Sequence, residues 1–310
     1  MGHHVFAPTA RAAAGRQALL MKKTSATYPT PYPELNAVLR ELVESVQAVL
    51  SNNFVAACLQ GSFAVGDFDR HSDVDFIIAV EKELSDDQVH ALQTMHEHIY
   101  RLDCVWAQHL EGSYFQKRVL RCHSQRGKQL WYLDNGSRSL IESEHDNTVV
   151  VRWVVREHGI ALAGPNPATL VDPIPVGTLR QQIIEGMSGW GQQVLAEPDR
   201  INNRFYQSFA VLHYCRMLHD LHTGFVGSKR AGAEWAKATL DPSWAGLVDR
   251  AWDGRPNPSL SIRQPADPKD LKTTLEFIQY IINAGTQFAV ALEIVSPPVR
   301  RPQSLTQPEF

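Results

Sequence analysis

The sequence predicts an α+β fold, in which a small mixed sheet is followed by an all-α C-terminal region. Before residue 110, segments with strand and helix periodicity follow the order helix, strand, turn, strand, helix, strand. After residue 147 the spacing of apolar residues becomes helical. At 310 residues the chain is also long for a single domain, so we expect two.

The N-terminal region carries the strand signals. Short apolar runs between turn residues predict strands at residues 54–59, 74–80 and 102–107, and amphipathic spacing predicts helices at 34–52 and 85–100. Ser85 followed by Asp86 and Asp87 is a typical helix start. Residues 131–133 indicate an edge strand, and Asp134, Asn135 and Gly136 indicate the turn after it.

We expect the domain boundary near residue 145, which gives domains of residues 34–145 and 146–296. Beyond the boundary, the sequence predicts only helices, at residues 149–158, 177–195, 203–222, 231–240, 243–252 and 267–294. Residues 1–33 and the proline-rich residues 297–310 are expected to be a disordered extension and tail.

Composition excludes several kinds of partner and compartment. A net charge of −3 gives no reason to expect binding to nucleic acid. No uninterrupted apolar run reaches the ~18 residues that span a bilayer, so no membrane contact is expected. The four cysteines form no CxxC motif and are expected to be buried free thiols in a reducing cytoplasm. We further expect a monomer or a weak dimer.

Two aspartates at the start of the second strand predict a metal site. Gly61 and Ser62 are followed by ten residues and then by Asp73 and Asp75, which are one residue apart. Side chains two apart on a strand point to the same side, so the two carboxylates would repel each other unless a cation lies between them. Mg²⁺ prefers oxygen ligands and is often held by carboxylates together with substrate phosphates. The pattern therefore predicts a metal–nucleotide site.

The turn before the aspartates completes this pattern. Gly61 lets the backbone approach a phosphate closely, and Ser62 offers a hydroxyl and the cap of a short helical turn. Ser72, next to Asp73, is counted with these nucleotide-binding residues.

The whole stretch resembles the signature of the polymerase-β-like nucleotidyltransferase superfamily. That superfamily adds a third acid on a following strand, and Asp103 is the residue that fits by its place on the predicted third strand. The resemblance implies transfer of a nucleotide from ATP, with Mg²⁺ held by Asp73, Asp75 and Asp103.

The second half of the chain resembles aminoglycoside adenylyltransferases of the streptomycin/spectinomycin type. The motifs that carry this resemblance are Gly159-Ile160-Ala161-Leu162-Ala163-Gly164-Pro165, the run from Leu170 to Pro175, and the C-terminal residues Cys215-Arg216, Thr223-Gly224, Lys229 and Glu234-Trp235-Ala236. The family implies that Lys229 and Arg216 bind the triphosphate and that Asp103 is the base. A glycine-flanked loop before Lys229 suits an anion.

This sequence departs from the family at two positions. The family base is usually glutamate, so Asp103 would either act as the base or share a second metal ion. The acid with which the family recognises the drug has no counterpart in residues 202–206. Aminoglycosides are polycations that need acidic partners. An acidic cluster either takes this role or is a solvated loop; it consists of Asp134, Glu142, Glu144 and Asp146.

The function that we expect is an ATP- and Mg²⁺-dependent O-adenylyltransferase with a small cationic acceptor, an aminoglycoside in the first instance. Two alternatives stay open. One keeps the chemistry and replaces the acceptor by a different metabolite or by a protein. The other is a catalytically silent module that senses nucleotides.

Overall fold

A computed structural model describes residues 29–255 and 262–295 of the chain. The predicted tail (297–310) and most of the predicted N-terminal extension lie outside these ranges. The packed part of the chain begins a few residues before the predicted boundary, because Thr30 is buried and its hydroxyl donates to Asn36 Oδ1 at 2.8 Å.

Six strands within the described ranges form one mixed sheet in the order β5-β4-β3-β2-β1-β6. The strands are β1 (Phe54–Leu59), β2 (Val74–Val80), β3 (Leu110–Gln116), β4 (Leu130–Leu133), β5 (Leu140–Ser143) and β6 (Ile160–Ala163). Only β2 and β3 pair in parallel, and every other neighbouring pair is antiparallel.

Helices cover both faces of the sheet. On one face, α1 (Pro33–Leu50) and α3 (Asp86–Tyr100) pack on Leu59, Phe76 and Ile78. On the other face, α4 (Lys117–Arg121) and α5 (Val149–His158) cover the alternate side chains of the same strands, which include Cys58 and Ile77. The short helix α2 (Gly61–Val65) joins β1 to the loop before β2. The strand alternation of buried side chains therefore places the central strands between two apolar layers.

Two of the strand predictions need correction. The expectation that only helices follow residue 145 is wrong, because β6 returns to the sheet and pairs with β1. The segment at residues 131–133 is a strand but not an edge strand, since β4 lies between β3 and β5. The predicted turn at Asn135 and Gly136 is confirmed, with Gly136 in the left-handed region at φ 76°.

The predicted third strand at residues 102–107 is also wrong. After α3, the chain turns, and Val105–Gln108 form a 3₁₀ helix. The apolar residues that suggested a strand, Leu102 and Cys104, pack against the core from this turn. Asp103 is exposed in the turn, and the third strand begins at Leu110.

The C-terminal half is a bundle built around one central helix. Its helices are α6 (Val176–Ala196), α7 (Arg204–Thr223), α8 (Lys229–Thr239), α9 (Ala245–Asp253) and α10 (Pro268–Val295). Helix α7 buries residues on most of its circumference, including Leu212, Tyr214 and Leu218. The Asn203 side chain caps its start by accepting from Tyr206 N at 2.8 Å. No helix in the described ranges is both long and apolar enough to cross a membrane.

Arg152 joins the short helix α4 to the loop before α5. Its side chain is fully buried, and its guanidinium donates to the carbonyls of Val119 and Leu120 at 2.7 and 3.1 Å and to Asn147 Oδ1 at 2.5 Å. Burial lowers the pKa of this guanidinium to about 10, which leaves it charged at neutral pH. The bonds fix the position of Asn147 and of its neighbour Asp146.

A buried histidine beneath β3 yields a prediction about stability. His96 is 2% exposed, its Nε2 lies 2.7 Å from the Tyr114 hydroxyl, and burial lowers its pKa from 6.5 to about 3. Below about pH 6.5, the unfolded chain therefore binds a proton that the folded protein excludes, so stability is lost as the pH falls. We expect the free energy of unfolding of the wild type to fall by up to about 1.4 kcal/mol per pH unit more steeply than that of His96→Gln between pH 6 and pH 4.5.

Urea unfolding at a series of pH values measures this difference. Tyr114→Phe removes the hydrogen bond but keeps His96, so it is expected to retain the steep slope. Equal slopes for the wild type and His96→Gln would contradict the account.

Candidate active site

Three carboxylates meet where the parallel strands β2 and β3 begin. Asp75 is the second residue of β2 and lies directly opposite Glu111, the second residue of β3. Asp73 immediately precedes β2, so it projects to the same side as Asp75. Because parallel strands start at the same edge of a sheet, these three acidic side chains share one end of the strand pair.

Glu111 takes the position that the sequence assigned to Asp103. The exposed turn around Asp103 gives it no place in the strand register, and Asp75 pairs with Glu111 instead. Sequence reasoning missed Glu111 because its strand starts with only one apolar residue, Leu110. The signal that identifies the strand is the later run Tyr114-Phe115, which is buried.

A fourth carboxylate, Asp146, lies behind the other three. It is 3% exposed, and the fully buried Ser113 hydroxyl donates to its Oδ2 at 2.7 Å. Burial raises the pKa of Asp146, and the hydrogen bond from Ser113 opposes this shift. The sequence pattern groups Asp146 in an acidic cluster that either recognises the acceptor or is a solvated loop, so its burial beside the other carboxylates is a second feature that the pattern does not reveal.

The carboxylates destabilise one another as anions. Burial, followed by the charges of Glu111, Asp73 and Asp146, raises the pKa of Asp75 well above its usual value. Burial raises the pKa of Glu111 to about 7, and the neighbouring acids Asp73 and Asp146 add to the shift. The cluster is therefore a strongly negative, partly enclosed site that a cation would stabilise.

Polar side chains from β4 and the turn after it orient these acids. The Tyr132 hydroxyl donates to Glu111 Oε1 at 2.6 Å, and Asn135 Nδ2 donates to Asp73 Oδ1 at 2.6 Å. The His145 ring stacks on Tyr132 with centroids 5.1 Å apart, and its Nε2 lies 3.5 Å from Glu111 Oε1. These contacts fix Glu111 and Asp73 before any ligand is present.

The turn at Gly61 packs directly on Asp75. Gly61 has φ 60°, and a Cβ at this position would overlap the Asp75 carboxylate. The Gln60 side chain accepts from Gly61 N at 2.9 Å, so Gln60 rather than Ser62 caps this short helix. The Ser62 hydroxyl is buried and has no hydrogen-bond partner among the described residues. Such an unsatisfied donor suits a ligand oxygen.

Ser72 has a different local role. Its Oγ accepts a hydrogen bond from the backbone N–H of Asp69 at 2.9 Å, which shapes the loop before Asp73. A contact between Ser72 and a nucleotide stays a prediction.

The helical half supplies cations to the same site. Lys229 is the first residue of α8, whose start is capped by the Ser228 side chain. Burial and Arg216 lower the pKa of Lys229, whereas Asp73 and Asp75 raise it. Burial raises the pKa of both aspartates, and the charge of Lys229 opposes this rise. The structure therefore brings the predicted residue Lys229 into electrostatic range of Asp73 and Asp75, and the predicted residue Arg216 into range of Lys229.

Two ion pairs hold the loop between Ser62 and Asp73 against the helical half. Arg230 Nε lies 3.2 Å from Asp67 Oδ1, and the Arg255 guanidinium pairs with Asp69. Both guanidinium groups lie over the Trp252 ring, at 5.3 and 4.3 Å from its centroid. These ion pairs therefore connect the loop before β2 to the helical half of the chain, which carries Lys229.

The residues present fit a divalent ion that is bound together with a ligand. Within the described ranges, no three His, Cys, Asp or Glu side chains form a ready metal-binding group. The buried carboxylates repel one another, and Ser62 offers a free donor beside them. A hard cation that takes two carboxylates plus phosphate oxygens needs no third protein ligand. The site is therefore suited to a metal–phosphate complex rather than to a bare metal ion.

The sequence is similar to those of known aminoglycoside adenylyltransferases. Residues 169–279 match the family model described as "Aminoglycoside adenylyltransferase, C-terminal domain". An aminoglycoside (3'') (9) adenylyltransferase of Escherichia coli is 24% identical over 266 residues, which cover 80% of this chain and 94% of that protein. The counterpart from Shigella flexneri is 24% identical over 230 residues, which cover 69% of this chain and 83% of that protein.

A solved structure shares the fold. It is spectinomycin adenyltransferase AAD(9) from Enterococcus faecialis with ATP and spectinomycin, which aligns with a TM-score of 0.59 at 13% identity and covers 80% of this chain and 98% of that one. The chain therefore resembles aminoglycoside adenylyltransferases in sequence over most of its length and has the fold of a solved relative.

The contact between Gly61 and Asp75 predicts the effect of a single methyl group. Gly61→Ala places a Cβ into the Asp75 carboxylate at a left-handed φ, whereas Gly66→Ala adds the same strain at φ 81° with no atom within 4 Å. We expect Gly66→Ala to cost about 1 kcal/mol of unfolding free energy from backbone strain alone. Gly61→Ala should cost more, and a crystal structure should show Asp75 displaced. Equal losses for both variants would contradict the close packing.

Proposed function

We propose that this chain is an ATP- and Mg²⁺-dependent adenylyltransferase that transfers AMP to a hydroxyl group of an aminoglycoside. The observation that carries the proposal is the pairing of Asp75 with Glu111 at the strand starts, beside Asp73 and in electrostatic range of Lys229. Phosphoryl transfer needs carboxylates that hold a metal ion, a further carboxylate that acts as general base, and a cation that binds the phosphates.

Asp73 and Asp75 are the residues that would hold Mg²⁺. Their two side chains share one side of β2. When bound there, the ion would neutralise the phosphate charge and so allow an oxygen nucleophile to approach phosphorus. Asn135 keeps Asp73 in place through its hydrogen bond at 2.6 Å.

Glu111 is the proposed general base. Its pKa of about 7 suits proton transfer near neutral pH, and Tyr132 holds one of its oxygens. Glu111 takes the proton of the acceptor hydroxyl as the hydroxyl oxygen forms a bond to the α-phosphorus of ATP. The bond from that phosphorus to the oxygen bridging to the β-phosphate breaks, and pyrophosphate leaves with the electron pair.

The remaining residues bind the triphosphate. The buried Ser62 hydroxyl is a donor for a phosphate oxygen, and Gly61 keeps the backbone turn tight against the acids. Lys229 and Arg216 supply positive charge for the leaving pyrophosphate. This division of roles would make the helical half essential to nucleotide binding.

The proposed acceptor follows from the relatives, which are aminoglycoside adenylyltransferases and include one solved with spectinomycin. The acids that are available to a cationic acceptor lie on the sheet side, around Glu111 and Asp134. Helix α7 contributes the ring of Phe209 and no acid in its first turn. This asymmetry favours the alternative that a less cationic hydroxyl compound is the acceptor of the same reaction.

The assignment of Glu111 as the general base predicts a loss of activity when Glu111 is changed and little effect when Asp103 is changed. Glu111→Gln removes the proton acceptor and should lower kcat at least about 100-fold, since general bases typically contribute 10²–10⁴-fold. Asp103→Asn, in the exposed turn, should keep kcat within about twofold of the wild type. Pyrophosphate release with ATP and spectinomycin measures both, and ATP binding by each variant serves as the control. Loss of activity in Asp103→Asn with an active Glu111→Gln would contradict the assignment.

The acceptor class predicts which compounds release pyrophosphate. We expect turnover with at least one member of a panel of aminoglycosides and spectinomycin. Mass spectrometry should then detect the drug with AMP attached. Asp75→Asn should abolish turnover while leaving the melting temperature close to that of the wild type. If a neutral polyol or a protein acceptor supports pyrophosphate release and no drug in the panel does, the aminoglycoside assignment is wrong and the adenylyl-transfer reaction stands.

A further inference from the structure

A row of stacked aromatic rings lies along α7 beside Lys229 and Arg216. Phe205, Phe209 and His213 recur at every fourth residue, so they share one face of the helix. Phe209 stacks on Phe205 and on His213 with centroids 6.2 and 5.2 Å apart and planes within 20° of parallel. Trp190 of α6 meets Phe209 and His213 edge-on at 6.0 and 5.4 Å. We call these four residues the aromatic ladder.

Phe209 contacts Lys229. The Lys229 ammonium lies 4.8 Å from the centroid of the Phe209 ring, within the range of a cation–π interaction. Among the described residues, no carboxylate lies within the 4.0 Å of an ion pair to this ammonium, although Asp73 and Asp75 attract it from farther away. The ring of Phe209 is therefore a close favourable partner of the Lys229 charge.

His213, the next ring of the ladder, contacts the other cation. Its Nδ1 lies 3.1 Å from Arg216 Nη2. Burial, with the charges of Arg216 and Lys229, lowers the pKa of His213 well below its usual value, so the ring is neutral and accepts the hydrogen bond. A neutral ring at this position adds no positive charge between the two cations.

We propose that the aromatic ladder is a positioning device, in which Phe209 sets Lys229 near Asp73 and Asp75 and His213 sets Arg216 near Lys229 before a triphosphate enters. The proposal rests on the proposed function in that it takes Mg–ATP as the ligand of these cations. Phe209 and His213 act through Lys229 and Arg216, so they are positioning residues and not catalytic ones.

The physical need for such a device follows from the lysine side chain. A lysine has about 2 kcal/mol of rotamer entropy to lose when it binds a phosphate. A ring that packs against Phe205, His213 and Trp190 is itself held in place, so it restrains the ammonium beforehand. A ligand that meets a restrained cation loses less entropy on binding.

Binding of Mg–ATP, measured calorimetrically without any acceptor, tests the proposal. We expect Phe209→Leu to raise the Kd for Mg–ATP roughly tenfold, because a desolvated cation–π contact is lost. Phe209→Tyr keeps the aromatic face and should stay within about threefold of the wild type. In a Lys229→Met background, Phe209→Leu should add less than about twofold, since the ring then has no cation to hold.

Tyr206→Leu is the matched control. This ring is 39% exposed on the same helix and touches Phe205 but neither cation, so its loss should change the Kd less than about twofold. If Phe209→Leu does not fold, as judged by circular dichroism, Phe209→Met takes its place with the same expectation.

The results separate this proposal from the proposed function. The positioning role of the aromatic ladder is wrong if Phe209→Leu binds Mg–ATP like the wild type, or if it weakens binding equally with and without Lys229. Neither result bears on the proposed function. A wild type that binds Mg–ATP but modifies no aminoglycoside would overturn the acceptor assignment, whereas the ladder would still be tested by the Kd series. Absence of Mg–ATP binding by the wild type would overturn both.

Discussion

The repulsion among four carboxylates at the start of β2 and β3 is the constraint on which the site depends. Asp75 and Glu111 face each other because the two strands run in parallel and in register, and Asp73 and Asp146 lie beside them. Such a cluster is costly unless cations offset it. The surrounding structure supplies positive charge from one side, through Lys229, and leaves the rest to a bound metal ion and its ligand.

This constraint explains why the two halves of the chain are joined where they are. The loop between Ser62 and Asp73 is held to the helical half by Asp67 and Asp69, whose arginine partners lie over Trp252. The same half carries Lys229 and the aromatic ladder. The acidic strands and the cations are therefore fastened together through elements that flank the nucleotide turn, which keeps both sets of charges in range of one ligand.

The residues of the local pattern around Asp73 and Asp75 could be predicted from the sequence, whereas the position of the third strand could not. Asp73, Asp75 and the turn at Gly61 were predictable because one short segment contains the turn, the spacing and the strand. Asp103 was misplaced because a 3₁₀ turn with buried Trp106 has nearly the alternation of a short strand. Glu111 and Asp146 reach the site only through strand pairing and the buried Arg152 contacts, which no local pattern encodes.

Under the proposed function, the acidic cluster binds a divalent ion through Asp73 and Asp75 only as a complex with a nucleoside triphosphate. Electron paramagnetic resonance of Mn²⁺ bound to the protein, with and without a non-hydrolysable ATP analogue, tests it most directly. We expect weak Mn²⁺ binding by the protein alone, at least about tenfold tighter binding with the analogue, and loss of that gain in Asp75→Asn. Equal Mn²⁺ affinity with and without the analogue, or a gain that persists in Asp75→Asn, would contradict it.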